Sequence, residues 1–101
     1  MKNEFSKDLL EAVNEGVLAL GDVVRPAIYQ YAERNCQVKH EEIPEKLEAF
    51  HKCLEGILGA ATKVIEKLIA RKLYTKLNLS FEPHENWTLV DYVYHAKKAK
   101  G

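Results

Sequence analysis

The sequence predicts an all-α fold, a compact bundle of about five helices around a central helix at residues 60–77. Apolar residues recur at three- and four-residue spacing along most of the 101 positions. No alternating strand pattern and no internal repeat interrupts this periodicity. Hydrophobic residues make up 47% of the chain, an ordinary share for a globular protein, so we expect a packed core and not a disordered chain. At this length a single helical domain over residues 1–101 is expected.

The first two helices are predicted from apolar spacing and from capping residues. Helix 1 covers roughly residues 7–20, with Ser6 as its N-cap. Gly16 interrupts it and indicates close packing against a neighbouring helix. Helix 2 covers about residues 23–35, or begins at Pro26 itself, because proline is tolerated only in the first turn. Its predicted apolar face consists of Val24, Ala27, Ile28, Tyr31 and Ala32.

The remaining elements are predicted from helix-breaking residues and from one helix whose apolar face is unusually broad. Pro44 is predicted to open helix 3 at its first helical position. On the central helix, residues 60–77, apolar side chains spread over more than half of the circumference, so several elements must cover it. An irregular segment follows, which we expect Leu79 and Phe81 to anchor to the core. Thr88 then caps the last helix, with Asp91 at the third helical position. The eight apolar residues of the central helix are Ala60, Ala61, Val64, Ile65, Leu68, Ile69, Leu73 and Leu77.

Charge and composition limit the classes of function. The chain has 15 basic and 15 acidic residues, so no overall field attracts nucleic acid or an anionic membrane. No apolar run is long enough to span a bilayer, and the N-terminal residues lack a signal-peptide pattern. We therefore expect a cytoplasmic protein that does not bind membranes. We interpret Cys36 and Cys53 as reduced thiols, with a disulfide or a redox switch between them as the alternatives.

No reactive constellation is evident in the sequence. Cys36 and His40 have a spacing found in some metal sites, but a structural zinc site needs four converging ligands. No signature of a catalytic thiol surrounds Cys36 or Cys53. We therefore predict no enzyme activity, no cofactor and no metal.

The surface that the sequence favours for binding is the basic side of the central helix. Lys63, Lys67 and Arg71 recur there every four residues, and Tyr74 is predicted on the same side. Such a stripe is a solvated face, a surface for an acidic protein partner or second copy, or a nucleic-acid surface. Tyr29 and Tyr94 are further candidates for an exposed interface patch, because tyrosine is enriched in interfaces; partly buried boundary positions are the alternative.

Four segments carry a resemblance to a known family. LGDVVRPAIYQY, EEIPEKLEAF, IARKLYTKL and TLVDYVYHAKK, spread over roughly residues 9–98, resemble the archaeal Nitrosopumilus output domain family. The chain reads Leu58-Gly59-Ala60 where members of that family tend to have Gly-Pro-Gly. The resemblance implies a small, non-catalytic regulatory or protein-interaction module of archaeal signal transduction, which we expect to self-associate as a homodimer. It implies no active-site residues. Nucleic-acid binding through the basic side of the central helix is the alternative function.

Overall fold

The computed structural model describes residues 4–100, and these residues confirm an all-helical, compact fold. The chain runs through α1 (Glu4–Leu18), α2 (Val24–Cys36), α3 (Leu47–Leu58), α4 (Thr62–Lys76) and α5 (Leu89–Lys100). Short 3-10 turns occur at His40–Glu42 and Gly59–Ala61, and no β-strand occurs between residues 4 and 100. The Cα radius of gyration is 12.6 Å, close to the ~13 Å of a compact 100-residue domain. Residues 1–3 and 101 of the predicted domain lie outside the described residues.

Helix α4 packs against α1, α3 and α5, while α2 packs against α1 and α3. The approach of α1 to α4 depends on Gly16, which is buried. A Cβ built on Gly16 would lie only 3.2 Å from the Ile69 Cα and would also collide with the Ile69 side chain. The close packing that Gly16 predicts is therefore confirmed.

The predicted start of helix 3 at Pro44 is wrong, because α3 begins at Leu47. Lys46 precedes it with non-helical dihedral angles, φ −122° and ψ 42°. The residues before α3 form a 3-10 turn instead, and both Val38 and Ile43 are buried beside it. Burying these two side chains brings the connecting segment onto the core and delays the helix.

The predicted apolar face of helix 2 is only half covered. Ile28 and Ala32 are buried, whereas Val24, Ala27 and Tyr31 are exposed. Because α2 packs mainly against α1, α3 and the turn at His40–Glu42, its outer apolar residues remain exposed.

The cysteines correct a further expectation, because Cys36 and Cys53 form a disulfide and are not reduced thiols. Cys36 is the last residue of α2 and Cys53 lies in the middle of α3, with their Cα atoms 6.2 Å apart. This distance lies within the usual range for a disulfide. The bridge joins two helices whose packing the sequence alone does not give.

The segment between α4 and α5 is held by aromatic contacts. Leu79 and Phe81 are partly buried against the core, which confirms their predicted anchoring role. The Tyr92 hydroxyl accepts the His84 N–H at 2.8 Å, and the Trp87 ring stacks on His84 with centroids 3.9 Å apart. The Thr88 N–H donates to Asp91 Oδ2 at 2.9 Å, as the capping pattern predicts. These contacts place Trp87 and Thr88 beside the first turns of α4.

Within the described residues, no helix is both long enough and apolar enough to cross a membrane.

Candidate functional site

A carboxylate is buried inside the bundle, at the junction of α3, α4 and α5. Glu66 of α4 is only 3% exposed. Its Oε1 accepts the Leu89 N–H at 3.1 Å, and its Oε2 lies 2.6 Å from Nδ1 of His51. Burial raises the pKa of Glu66 above its usual 4.5, while the hydrogen bonds from His51 and Leu89 oppose that rise. One side chain thus links three helices.

His51 connects this buried carboxylate to the surface. An ionised carboxylate can only accept hydrogen bonds, so the Nδ1–H of His51 donates to Glu66 whenever Glu66 is ionised. The other ring nitrogen, Nε2, lies 3.5 Å from Oε2 of Glu55, whose side chain is largely exposed. His51 therefore lies between a buried and an exposed carboxylate.

These groups line a cleft of about 470 Å³, which we call the His51 cleft. It lies between the second half of α3, the start of α4 and the residues before α5. Its volume falls within the ~300–1,000 Å³ typical of small-molecule sites. Its lining consists of His51, Glu55, Gly59, Ala60, Thr62, Lys63, Glu66, Asn86, Trp87 and Thr88.

The chemistry open to the cleft is binding and proton transfer. A carboxylate that orients an imidazole through Nδ1 leaves Nε2 able to accept or donate a proton. Both threonine hydroxyls of the lining already donate, that of Thr62 to the Leu54 carbonyl at 3.1 Å and that of Thr88 to Asp91 Oδ2 at 3.4 Å. Among residues 4–100, no group of three or more acidic, histidine or cysteine side chains could hold a metal ion.

The predicted basic surface is only partly assembled. Lys63 and Arg71 are exposed and Lys67 is half-buried, and the described residues place no carboxylate within 4 Å of their charged groups. Lys63 Nζ lies 3.5 Å from the Glu85 carbonyl oxygen, and the Arg71 guanidinium lies 5.5 Å from the Phe81 ring centroid.

Tyr74 is not part of that basic surface, contrary to the prediction. It was predicted on the basic side but is only 3% exposed, and its hydroxyl donates to the Tyr92 carbonyl at 2.8 Å. The segment between α4 and α5 covers this side of the helix, and Phe81 packs edge-on against the Tyr74 ring.

Val64 takes an unexpected place on the same surface. It was assigned to the apolar arc that the core covers, yet it is 68% exposed. Together with Lys67, Leu68 and Arg71 it lines a shallow groove of about 260 Å³. We call Lys63, Val64, Lys67, Leu68 and Arg71 the α4 surface.

The two candidate interface tyrosines differ. Tyr94 is 64% exposed on α5, with Lys98 over its ring. Tyr29 is not in an exposed patch, because it is partly buried and donates its hydroxyl to Asn14 Oδ1 at 2.6 Å. Burial raises the pKa of Tyr29 to about 12. Tyr29 therefore follows the partly buried alternative, because α1 lies close enough to supply a hydrogen-bond partner.

Sequence reasoning missed the pair formed by Glu66 and His51. A signal was present, since Thr62, Glu66, Ile69 and Leu73 recur at helical spacing and all four are buried. Glu66 therefore replaces an apolar residue on a core-facing stripe. Its partner was not readable, because His51 lies 15 residues away in the chain.

Comparisons of the chain with models of protein families, with curated proteins and with solved structures found no match.

Proposed function

We propose that the protein is a non-catalytic regulatory module that self-associates as a homodimer through the α4 surface. The observation that carries this proposal is Val64, an apolar side chain 68% exposed among basic residues. An apolar centre with a charged rim is the usual anatomy of a protein interface. The described residues offer a complementary region for a second copy, because the exposed residues Glu45 and Glu48 lie at the acidic start of α3.

The sequence resemblance supports the same proposal. LGDVVRPAIYQY and EEIPEKLEAF resemble the archaeal Nitrosopumilus output domain family, which implies a role in signal transduction in the cytoplasm. Disulfides inside cells are common mainly in hyperthermophiles, archaea among them, so the bridge from Cys36 to Cys53 is compatible with that location. The arrangement of about five helices around α4 is part of this proposal, since it would present one side of the central helix to a partner.

Nucleic-acid binding is the second candidate function. It is favoured by Lys63, Lys67 and Arg71, three cations that share one side of α4 without a carboxylate partner in the described part of the chain. The burial of Tyr74 weakens it, because that ring is not available to stack on a base. Phosphate binding also does not require an exposed valine.

The test is light scattering after size exclusion at low salt, with and without a short DNA duplex. We expect the wild type to be a dimer whose size does not change when DNA is added. We expect the Val64→Asp variant to be a monomer. Val23→Asp is the matched control, because Val23 is 85% exposed at the start of α2, away from the α4 surface. Both substitutions lie at exposed positions and should leave the circular dichroism spectrum unchanged.

Three outcomes would contradict the proposal. A wild-type monomer at high concentration would exclude self-association, and a Val64→Asp variant that stays dimeric would exclude this surface. A species that grows with DNA and shrinks steeply as salt rises would favour the nucleic-acid function instead.

A further inference from the structure

In one tautomer of the neutral His51 ring, the His51 cleft contains two hydrogen-bond acceptors that face each other. When the neutral imidazole donates its Nδ1–H to Glu66, Nε2 keeps a lone pair and can only accept. Oε2 of Glu55 lies 3.5 Å from Nε2, and a carboxylate oxygen is also an acceptor. A donor bound beside the pair, off the line that joins the two atoms, would satisfy both.

The charges around the cleft favour a donor that is positively charged. Glu55 lies at the mouth and Glu66 at the base, and Glu66 is shielded from water, so its negative charge is poorly solvated. Lys63 is the one cation in the lining, and its Nζ lies 3.5 Å from the Glu85 carbonyl oxygen. An anionic ligand would meet two carboxylates, whereas a cation would gain from both.

The wall of the cleft suits an alkyl chain attached to that cation. Trp87 lines the cleft, and His84 stacks on its ring with centroids 3.9 Å apart, which holds the indole in place. An indole packs against methylene groups and attracts a nearby ammonium ion through its π face. Gly59 and Ala60 also line the cleft, and their small size leaves room for such a chain.

We propose that the His51 cleft binds a small alkylammonium ion, with its nitrogen beside Nε2 of His51 and the Glu55 carboxylate, within hydrogen-bond distance of both, and its alkyl chain against Trp87. A primary ammonium group has three N–H donors, enough to serve both acceptors at once. This site does not depend on self-association, although Lys63 borders both the cleft and the α4 surface.

The experiment titrates the intact protein with 1,4-diaminobutane at pH 8 and constant ionic strength. Trp87 is the only tryptophan of the chain, so its fluorescence reports directly on the wall of the cleft. We expect a saturable change with the diamine and none with 1,4-butanediol, which has a similar length but no charge. Calorimetry gives the dissociation constant independently.

The matched variants are Glu55→Gln and Glu48→Gln. Both glutamates are exposed residues of α3, but only Glu55 lines the cleft, so neither change should prevent folding. Loss of one charge-assisted hydrogen bond should weaken diamine binding by about tenfold or more in Glu55→Gln and leave Glu48→Gln like the wild type. The proposal is overturned if the wild type gives no saturable change, if butanediol binds equally well, or if the two variants weaken binding to the same extent.

Discussion

Replacing Glu66 separates the role of its shape and hydrogen bonds from the role of its charge. Glu66→Ala removes both acceptors, so the buried Leu89 N–H loses its partner and His51 loses the group that orients it. Glu66→Gln keeps the shape and remains neutral. Its amide oxygen can accept from Leu89, and its amide N–H can donate to Nδ1 of His51 once the imidazole proton moves to Nε2.

Glu66→Ala and Glu66→Gln should differ in their free energy of unfolding by a large fraction of the total stability of the domain. An unpaired buried amide costs about 1–3 kcal/mol, and the space left by the truncated side chain adds to that cost. We therefore expect Glu66→Ala to lower the free energy of unfolding by about 2–4 kcal/mol, out of the ~5–15 kcal/mol typical of a domain. For about 100 residues this corresponds to a fall in Tm of roughly 10–30 °C. Glu66→Gln should stay within about 1 kcal/mol of the wild type at pH 7.

The assay is urea unfolding at pH 7, followed by circular dichroism, with Glu48→Ala as the control for an exposed glutamate of α3. If Glu66→Gln loses as much stability as Glu66→Ala, the ion pair with His51 is what matters, and the reasoning from hydrogen bonds is refuted. A loss below about 0.5 kcal/mol in Glu66→Ala, the range of ordinary surface substitutions, would show that Glu66 is not buried in solution.

The difference in stability between the wild type and Glu66→Gln should depend on pH, with a defined sign. Because burial raises the pKa of Glu66, the protonated form is the one the fold favours. That contribution is fully present below the unfolded value of 4.5 and is lost as pH rises through the higher folded value. The stability of the wild type relative to Glu66→Gln should therefore increase as pH falls from above the folded pKa toward 4.5. A difference that is constant with pH would contradict the raised pKa.

Three further predictions test the packing of other residues. Gly16→Ala should cost about 1–3 kcal/mol because its Cβ meets α4, whereas Gly56→Ala, whose Cβ has no neighbour within 4 Å, should gain up to about 1 kcal/mol; equal effects in urea unfolding would contradict the close approach. Reducing the bridge between Cys36 and Cys53, 17 residues apart, should lower the unfolding free energy by about 3 kcal/mol, and an unchanged midpoint with reductant would argue against a bridge in solution. The phenol of Tyr29 should ionise near pH 12, so its stabilising effect is present below pH 10 and is lost as pH rises through 12. If the absorbance step that Tyr29→Phe removes lies near pH 10 and not near pH 12, the raised pKa is refuted.

The all-helical class and many local features could be predicted from the amino-acid sequence alone. Helical periodicity and capping act over three or four residues, so the pairing of Thr88 with Asp91 and the start of α5 follow from neighbouring residues alone. Gly16 and Phe81 were also interpreted correctly, because a glycine inside a helix and an aromatic residue in an irregular segment have few packing explanations.

Which side chains are covered, and which contact one another, depends on how the helices pack. Val64 and Tyr74 lie on one helix, but the segment before α5 covers Tyr74 and leaves Val64 exposed. Glu66 is hydrogen-bonded to His51 and Leu89, which lie 15 and 23 residues away in the chain. Cys36 is bonded to Cys53, 17 residues away. Spacing along one helix carries no information on the distance to another, so the buried carboxylate, the cleft and the disulfide all depend on how the helices pack.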